Sequence, residues 1–329
     1  MALADKEFKR ILRYVLDNGV EKETRSGLVK SCFGMTARFN IGEELPLLTI
    51  RKVFTRGIIE ELLWFLSGST NIKPLVEHDV NIWTDDAWRY YNERINNCVV
   101  TDGKVANTKD DFIKSVINGD KCTFINGESY TFGDLGPVYG KNWRSFGING
   151  IDQVAKVIDT LKTNPNDRRM LITGYNPDDV GTAALPPCHL LYQFYTSPMT
   201  VEDVENWKLS HKDQETVPTL KLSCSLYCRS QDFLLGTVFN WVSASILTAM
   251  IAEVVGMGVG ELVWFGGDVH VYMNQIEAAD ELLKRLWTDC KPRLCFARRV
   301  KGIDDFEASD VIIKDYHPQA PIKIPLSVG

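Results

Sequence analysis

Apolar residues recur at helical spacing in the first quarter of the chain. In residues 4–18 (ADKEFKRILRYVLDN) they fall on one face, which predicts an amphipathic helix with Gly19 as its C-cap. Residues 55–67 (TRGIIEELLWFLS) are apolar on most sides and predict a helix packed deep in the core. Glu60 and Glu61 interrupt that second pattern, so a carboxylate on this helix must face a specific partner.

The rest of the chain alternates between strand and helix patterns. Residues 219–229 (TLKLSCSLYCR) put apolar residues and two cysteines on one face, which predicts a half-buried strand. The turn-rich ETRSG precedes a second strand pattern, CFGMTARFNI. DQVAKVIDTLKT predicts a helix, and RRMLITGYN predicts a buried strand. WVSASILTAMIAEVVGM predicts a long apolar helix stopped by Gly258, and ELVWFGGDVHVY predicts a strand broken by a glycine pair.

Polar composition and turn signals return in two stretches, residues 90–132 and 197–218. We interpret both as surface insertions in one catalytic domain covering residues 1–329.

Composition excludes several classes of function. The formal net charge of -6 argues against broad adhesion to nucleic acid or anionic lipid. We expect no membrane span, no signal peptide and a cytoplasmic protein. The eight cysteines are few for this length, and the five histidines are scattered, so we expect reduced thiols and no metal site.

One cysteine has an unusual setting, because Cys188 follows a double proline in LPPCH and precedes an aromatic-rich segment. A buried structural cysteine is one interpretation. A Cys–His hydrolase is another, since His189 is adjacent. Neighbouring side chains on a strand point to opposite faces, however, so His189 is poorly placed to act as the base for Cys188.

A set of short motifs occurs in order along nearly the whole chain: RSG (25–27), EELLWFLSGSTNIK (60–73), GDLGPVYGKNWR (133–144), RR (168–169), LPPCH (185–189), RSQD (229–232), FN (239–240) and GGDVHVY (266–272). The set resembles the thymidylate synthase and deoxynucleotide hydroxymethylase family. The resemblance implies an α/β (α+β) fold of the thymidylate synthase type, with a twisted, six-stranded mixed sheet packed with helices. It also implies a homodimer that pairs through one face of the sheet.

For the nucleotide, the resemblance implies that the Cys188 thiolate adds to C6 of dUMP, with Arg229 favouring the thiolate at neutral pH. Phosphate would be bound by Arg25, Arg229 and Ser230 of one subunit and by Arg168 and Arg169 from the other. Asn240 would read the uracil edge, and relatives that act on cytosine carry Asp there. The matching positions for the deoxyribose hydroxyl are His270 and Tyr272.

For the one-carbon donor, the resemblance implies 5,10-methylenetetrahydrofolate as cosubstrate. Glu61 would relay protons through water, Tyr139 would assist proton removal near C5, and His189 would support the water network. Burial should raise the pKa of Glu61. The positions that match folate contacts are Asp232, Trp83, Arg51 and Gly236, although Trp83 also fits a core tryptophan.

Two departures from the family pattern bear on the product. Thr84 stands where thymidylate synthases usually have Asp, and Trp241 stands where a small aliphatic residue is usual. The tail IPLSVG resembles the segment that closes the site, with an extra glycine. These departures favour a dUMP hydroxymethylase of the kind phages use for modified-base DNA, acting in the host cytoplasm. A thymidylate synthase making dTMP and dihydrofolate is the alternative, and a catalytically silent nucleotide-binding relative is the third.

Overall fold

The computed structural model describes residues 2–210 and 216–326, without the side chains of residues 209 and 210. The helices are α1 (Leu3–Asn18), α2 (Thr55–Leu66), α3 (Lys73–Glu77), α4 (Thr84–Asn97), α5 (Lys109–Asn118), α6 (Tyr139–Arg144), α7 (Gln153–Thr163), α8 (Val201–Ser210), α9 (Gly236–Val255) and α10 (Ile276–Lys284). The strands are β1 (Val20–Thr24), β2 (Gly27–Asn40), β3 (Val100–Gly103), β4 (Lys121–Phe124), β5 (Ser129–Thr131), β6 (Leu171–Thr173), β7 (His189–Pro198), β8 (Leu220–Asp232), β9 (Gly258–Tyr272), β10 (Arg293–Phe296) and β11 (Val311–Lys314).

Six strands form the main sheet in the order β1-β2-β9-β8-β7-β6. Neighbours are antiparallel except β8 and β9, which are parallel and therefore need the crossover that α9 supplies. This mixed sheet with its packed helices confirms the predicted fold class. Because β8 and β9 run in the same direction, their carboxyl ends, at Asp232 and Tyr272, lie at the same edge of the sheet.

The apolar spacing of residues 4–18 and 55–67 correctly predicts α1 and α2. On α1, Phe8, Ile11 and Leu12 are fully buried. Gly19 does cap the helix, and its N–H donates to the Val15 carbonyl at 2.8 Å. Its backbone there is extended, however, so glycine is not needed for a left-handed turn.

The core helix α9 ends earlier than the sequence predicts. It stops at Val255, and Gly256, not Gly258, takes the left-handed cap with φ 69°. By length and composition this helix could span a membrane, but 72% of its most apolar window is buried inside the protein. Its uniform hydrophobicity therefore reflects a position in the core.

Two strand predictions were wrong in extent. RRMLITGYN contributes only the three residues of β6, an edge strand whose middle residue alone is fully buried. The glycine pair Gly266–Gly267 does not break β9, which runs unbroken through it. A Cβ on Gly267 would come within 2.8 Å of the Arg229 carbonyl, so glycine here permits close strand pairing.

The polar stretch at 90–132 folds around an aromatic cluster. It contains the small sheet β3-β4-β5, and α4 and α5 contribute Tyr91 and Phe112, which contact Phe132 at ring-centroid distances of 4.9 and 5.9 Å. These rings belong to the same continuous hydrophobic cluster as α1 and α9. The second stretch contains α8, and its residues 211–215 lie outside the described part of the chain. That the chain is one domain with two insertions stays a prediction.

Candidate active site

The candidate nucleophile lies at the start of a central strand, held by its backbone. The Cys188 N–H donates to the Tyr139 hydroxyl at 2.7 Å, and its carbonyl accepts from the Arg229 N–H at 2.8 Å. The Arg229 side chain donates from Nε to the Pro187 carbonyl at 2.8 Å and from Nη2 to the Pro186 carbonyl at 2.7 Å. Because proline has no N–H, the double proline offers only acceptors, and the guanidinium matches them.

Burial and charge act in opposite directions on this thiol. Burial raises the pKa of Cys188, while the positive charges of Arg229 and Arg25 lower that pKa in part, and the Asp86 carboxylate raises it further. Both arginines favour the thiolate, as expected for Arg229, but desolvation outweighs their charge, so the pKa of Cys188 is raised in the unliganded chain.

Behind the cysteine lies a buried pair of rings. His189 stacks on Tyr139 with ring centroids 3.8 Å apart, and its Nδ1 is hydrogen-bonded to the Tyr192 hydroxyl at 2.8 Å. Burial lowers the pKa of His189 to about 3, so the imidazole is neutral at physiological pH. An imidazole with so low a pKa is a poor base for a thiol, which argues against the Cys–His hydrolase.

A carboxylate and an indole pair in the helix α2 region. Trp83 Nε1 donates to Glu61 Oε1 at 2.7 Å, and Trp83 packs against Phe65 and Tyr139. Burial raises the pKa of Glu61 to about 7, partly offset by the Trp83 hydrogen bond, as expected from its place in an apolar helix. Glu60, in contrast, pairs with His78 at 2.9 Å. Glu61 can therefore gain or lose a proton near neutral pH.

The amide of Asn240 is held by a residue that sequence reasoning missed. Asn240 Nδ2 donates to Gln231 Oε1 at 3.1 Å and lies 3.9 Å from Cys228 Sγ. Gln231 is 3% exposed, and a Cβ on Gly236 would come within 2.9 Å of its Nε2. Gln231 therefore orients Asn240. The only signal in the sequence was its position next to the RS of RSQD, which does not predict this contact.

A second polar group gathers at the carboxyl end of β8. Asp232 Oδ1 accepts from the Leu234 and Leu235 N–H groups at 3.1 Å, and burial raises the pKa of Asp232. Gln275 Nε2 donates both to Asp232 Oδ2 and to the Pro325 carbonyl, each at 3.0 Å. Gln275 therefore links the Asp232 carboxylate to the tail. The last three tail residues, 327–329, lie outside the described residues.

Arg51 lies beside this carboxylate. Its Nη2 donates to the Leu234 carbonyl at 2.7 Å, while its Nε is buried without a hydrogen-bond partner. Burial lowers the pKa of Arg51 to about 10, and the Asp232 charge partly opposes this. An unpaired buried donor next to a carboxylate fits a polar heterocycle that offers both acceptors and donors. The residues present therefore fit a folate.

The sugar and phosphate candidates meet at the β1–β2 turn. Arg25 is exposed at the tip of that hairpin, and the neighbouring Ser26 hydrogen-bonds Tyr272. His270 packs edge-on against Tyr272 at 5.3 Å and its Nδ1 contacts Asp268 at 3.1 Å. Ser230, half-buried on β8, pairs with Asp268 across the parallel ladder. The fold thus places these candidates at one edge of the sheet.

Four residues named from the sequence lie elsewhere. Arg168 and Arg169 are exposed in the loop before β6, where Arg169 pairs with Asp167 at 2.8 Å. Thr84 is 2% exposed and bonds Asn81 at 3.3 Å. Trp241 is fully buried and packs on Phe39 and Trp264. One helical position turns a side chain by about 100°, so Trp241 points to the core although Asn240 does not.

Two further features do not mark the site. A cavity of about 770 Å³ lies at the opposite end of the sheet, lined by Met199, Trp207 and Val259 among others, and contains none of the predicted site residues. Within residues 2–210 and 216–326, no group of three or more His, Cys, Asp or Glu side chains could hold a metal ion.

Comparison with known proteins identifies the family. The family model of thymidylate synthase matches residues 6–328. Among curated relatives, the thymidylate synthase of Listeria monocytogenes serovar 1/2a is 37% identical over 335 residues, covering 98% of this chain and 100% of the relative. That of Herpesvirus ateles is 38% identical over 337 residues, covering 99% and 98%. That of Homo sapiens is 39% identical over 329 residues, covering 96% and 88%. The chain belongs to the thymidylate synthase family, one-carbon transferases whose cosubstrate is methylenetetrahydrofolate.

Proposed function

We propose that this enzyme methylates C5 of dUMP to give dTMP, with dihydrofolate as the second product. The observation that carries the proposal is the arrangement around Cys188. Its backbone N–H donates to the Tyr139 hydroxyl, on which the neutral His189 stacks, and Arg229 donates to the carbonyl of the preceding Pro187. Addition of the Cys188 sulfur to C6 makes C5 nucleophilic, which a pyrimidine otherwise is not. The folate supplies the one-carbon unit and, for this product, a hydride.

The chain's own residues have distinct tasks in this proposal. Gln231 fixes the Asn240 amide, so that the amide can donate to O4 and accept from N3–H of uracil. Glu61, with its pKa of about 7, exchanges a proton with water on the O4 side of the base. Tyr139, whose pKa burial raises well above the usual value, stays protonated and donates or accepts through its hydroxyl.

Thiolate formation in this proposal needs more positive charge near Cys188 than one chain supplies. The unliganded chain holds Cys188 as a thiol, because burial outweighs the nearby arginines. Arg168 and Arg169 are exposed in the loop before β6. We propose that they reach the phosphate of a partner subunit's site, as the family resemblance implies. The protein would then act as a homodimer in the cytoplasm.

Hydroxymethylation of dUMP, with water in place of the hydride, was the product that the sequence favoured, and it is the alternative here. Thr84 and Trp241 favour it as departures from the usual pattern. Both side chains are buried, however, and Trp241 packs on Phe39 and Trp264 in the core. A substitution that repacks the core does not by itself admit water beside the substrate. Trp83, which donates a hydrogen bond to Glu61, is the residue usually found in the family at this folate-contact position.

A product assay decides between these reactions. The protein is incubated with dUMP and 5,10-methylenetetrahydrofolate, the nucleotide is weighed by mass spectrometry, and dihydrofolate absorbance is followed. We expect dTMP and dihydrofolate in equal amounts. Hydroxymethyl-dUMP with tetrahydrofolate would replace the proposal by its alternative. Cys188→Ala serves as the control, which should bind dUMP without turnover, while dUMP binding without turnover in the unsubstituted protein would identify a silent relative.

A further inference from the structure

The loop that ends at Cys188 is held from two sides. On one side, Arg229 donates to the Pro186 and Pro187 carbonyls. On the other side, two consecutive residues of α4 donate to the same loop: Arg89 Nη2 to the Ala184 carbonyl at 2.9 Å, and the Tyr90 hydroxyl to the Thr182 carbonyl at 2.6 Å. We call the two α4 bonds the α4 clasp. Arg229 is part of the resemblance to the family, whereas neither Arg89 nor Tyr90 is.

The loop packs backbone against backbone on its remaining side. The Ala184 N–H donates to the Leu135 carbonyl at 2.8 Å. Gly136 has φ +70°, and a Cβ there would come within 2.5 Å of the Thr182 carbonyl. The segment between Thr182 and Ala184 is therefore enclosed by α4 and by the Leu135–Gly136 backbone, and its position depends on both.

Arg89 also forms ion pairs with two carboxylates of α4. Its Nη2 lies 3.1 Å from Asp86 Oδ1 and its Nη1 lies 2.9 Å from Glu93 Oε1. Arg89 and Asp86 have side chains only 19% and 23% exposed, so solvent screens this pair less than a surface pair. Asp86 is the carboxylate whose charge acts on Cys188 and opposes the thiolate.

We propose that α4 positions the nucleophile, with Arg89 holding the Cys188 loop through the Ala184 carbonyl and neutralising the Asp86 carboxylate. This inference rests on the proposed role of Cys188 as nucleophile. Tyr90 supplies the second bond of the clasp, without a charge. Arg89 and Tyr90 are positioning residues, since they act through the loop and not on the substrate.

The charged and titratable groups around the Cys188 thiol determine how each substitution should shift the pKa of Cys188. Arg229 and Arg25 favour the thiolate, and Asp86 disfavours it. Tyr139, Tyr272 and Cys228 also interact with the thiol and are neutral at pH 7, since burial raises the pKa of each. Removing the Arg89 charge leaves Asp86 unpaired, so the Cys188 pKa should rise. Removing the Asp86 charge should lower it.

The test is the pH profile of Cys188 alkylation by iodoacetamide, followed by mass spectrometry of the Cys188 peptide in the intact protein without substrates. At pH 7 we expect Arg89→Met to slow alkylation by about threefold to tenfold, and Asp86→Asn to speed it. The double variant should return toward the unsubstituted rate. Asp85→Asn is the matched control, because Asp85 is on the same helix turn and pairs with Lys109; its rate should not change.

Tyr90→Phe separates the positional effect from the charge. This variant should lower kcat with little change in the KM for dUMP and no shift in the alkylation profile. Equal slowing by Arg89→Met with and without Asp86→Asn would overturn the electrostatic role. An unchanged kcat in both Arg89→Met and Tyr90→Phe would overturn the clasp. Because alkylation needs neither dUMP nor folate, its outcome is independent of which product the enzyme makes.

Discussion

At the scale of single residues, environment decides the chemistry of otherwise ordinary side chains. Glu60 and Glu61 are adjacent on α2, yet Glu60 pairs with His78 while Glu61 is buried against Trp83. The apolar pattern of α2 predicts that a carboxylate there must have a partner, and it does not say which of the two is buried. A helix rotates successive side chains by about 100°, and only the packed structure fixes the orientation.

Replacing Glu61 by Gln should change how stability depends on pH. In the folded protein Glu61 keeps its proton up to a pH of about 7, whereas in the unfolded chain it loses that proton near 4.5. Between these values the folded state binds more protons, so this group's contribution to stability is lost as pH rises. Relative to the unsubstituted protein, Glu61→Gln should therefore gain up to about 3 kcal/mol from pH 4.5 to pH 7.

Urea unfolding of both proteins at several pH values in that window measures the difference. His189 is present in both, so its own titration cancels in the comparison. Parallel pH profiles would contradict a raised pKa of Glu61. Turnover is read separately, because Glu61→Gln should lose activity even where it is the more stable protein.

The same scale shows what the sequence could and could not predict about the site. Several residues that the motifs name lie together at the carboxyl end of β8 and near Cys188, and their roles stay predictions. The motifs miss Gln231 and Arg89, because each acts through a hydrogen bond to a residue distant in sequence or to a backbone carbonyl. A buried amide beside a glycine has no periodic signature, and it is found only when the two segments are seen in contact.

At the scale of elements, periodicity predicts helices and strands well where one face is buried, and less well at their ends. The alternation of residues 219–229 predicts β8, but its extension to Asp232 depends on pairing with β9. The end of α9 was misplaced by two residues, because both Gly256 and Gly258 are candidate stops. Only the backbone conformation distinguishes them, and Gly256 alone of the two has a positive φ.

Gly256→Ala should accordingly destabilise the protein by about 1 kcal/mol, since an alanine would have to adopt the left-handed conformation. A Cβ at this position meets nothing within 4 Å, so the cost is that of the backbone alone. Gly181→Ala is the control, because a Cβ there is also free of contacts and the backbone is not left-handed. Thermal unfolding should show a lower Tm for Gly256→Ala only. Equal Tm values would contradict the backbone account.

At the scale of the whole molecule, one face of the main sheet carries aromatic side chains that a single chain leaves exposed. Tyr227 and Phe265 are paired across β8 and β9, each 38% exposed, and Tyr195 on β7 is 67% exposed. Tyr195 pairs with Ser223, which lies on the same face of β8 as Tyr227. An exposed apolar patch across three central strands is typical of a protein interface. The sequence pattern alone could not show this, because burial by a partner and burial in the core look alike.

If the sheet face joins two subunits and Arg168 and Arg169 act across it, two inactive variants should restore each other. Cys188→Ala lacks the nucleophile, and the double variant Arg168→Ala with Arg169→Ala lacks the phosphate ligands. After subunit exchange in an equal mixture, about half of the dimers contain one of each. In those dimers one site has an intact cysteine facing intact arginines, so about a quarter of the unsubstituted activity should return. Arginines that act within their own chain would leave the mixture inactive.

Replacing Tyr195 by Asp should weaken the dimer in sedimentation and prevent this recovery of activity. The same change at Tyr14, which is 50% exposed on α1, should leave both the dimer and the recovery unaffected.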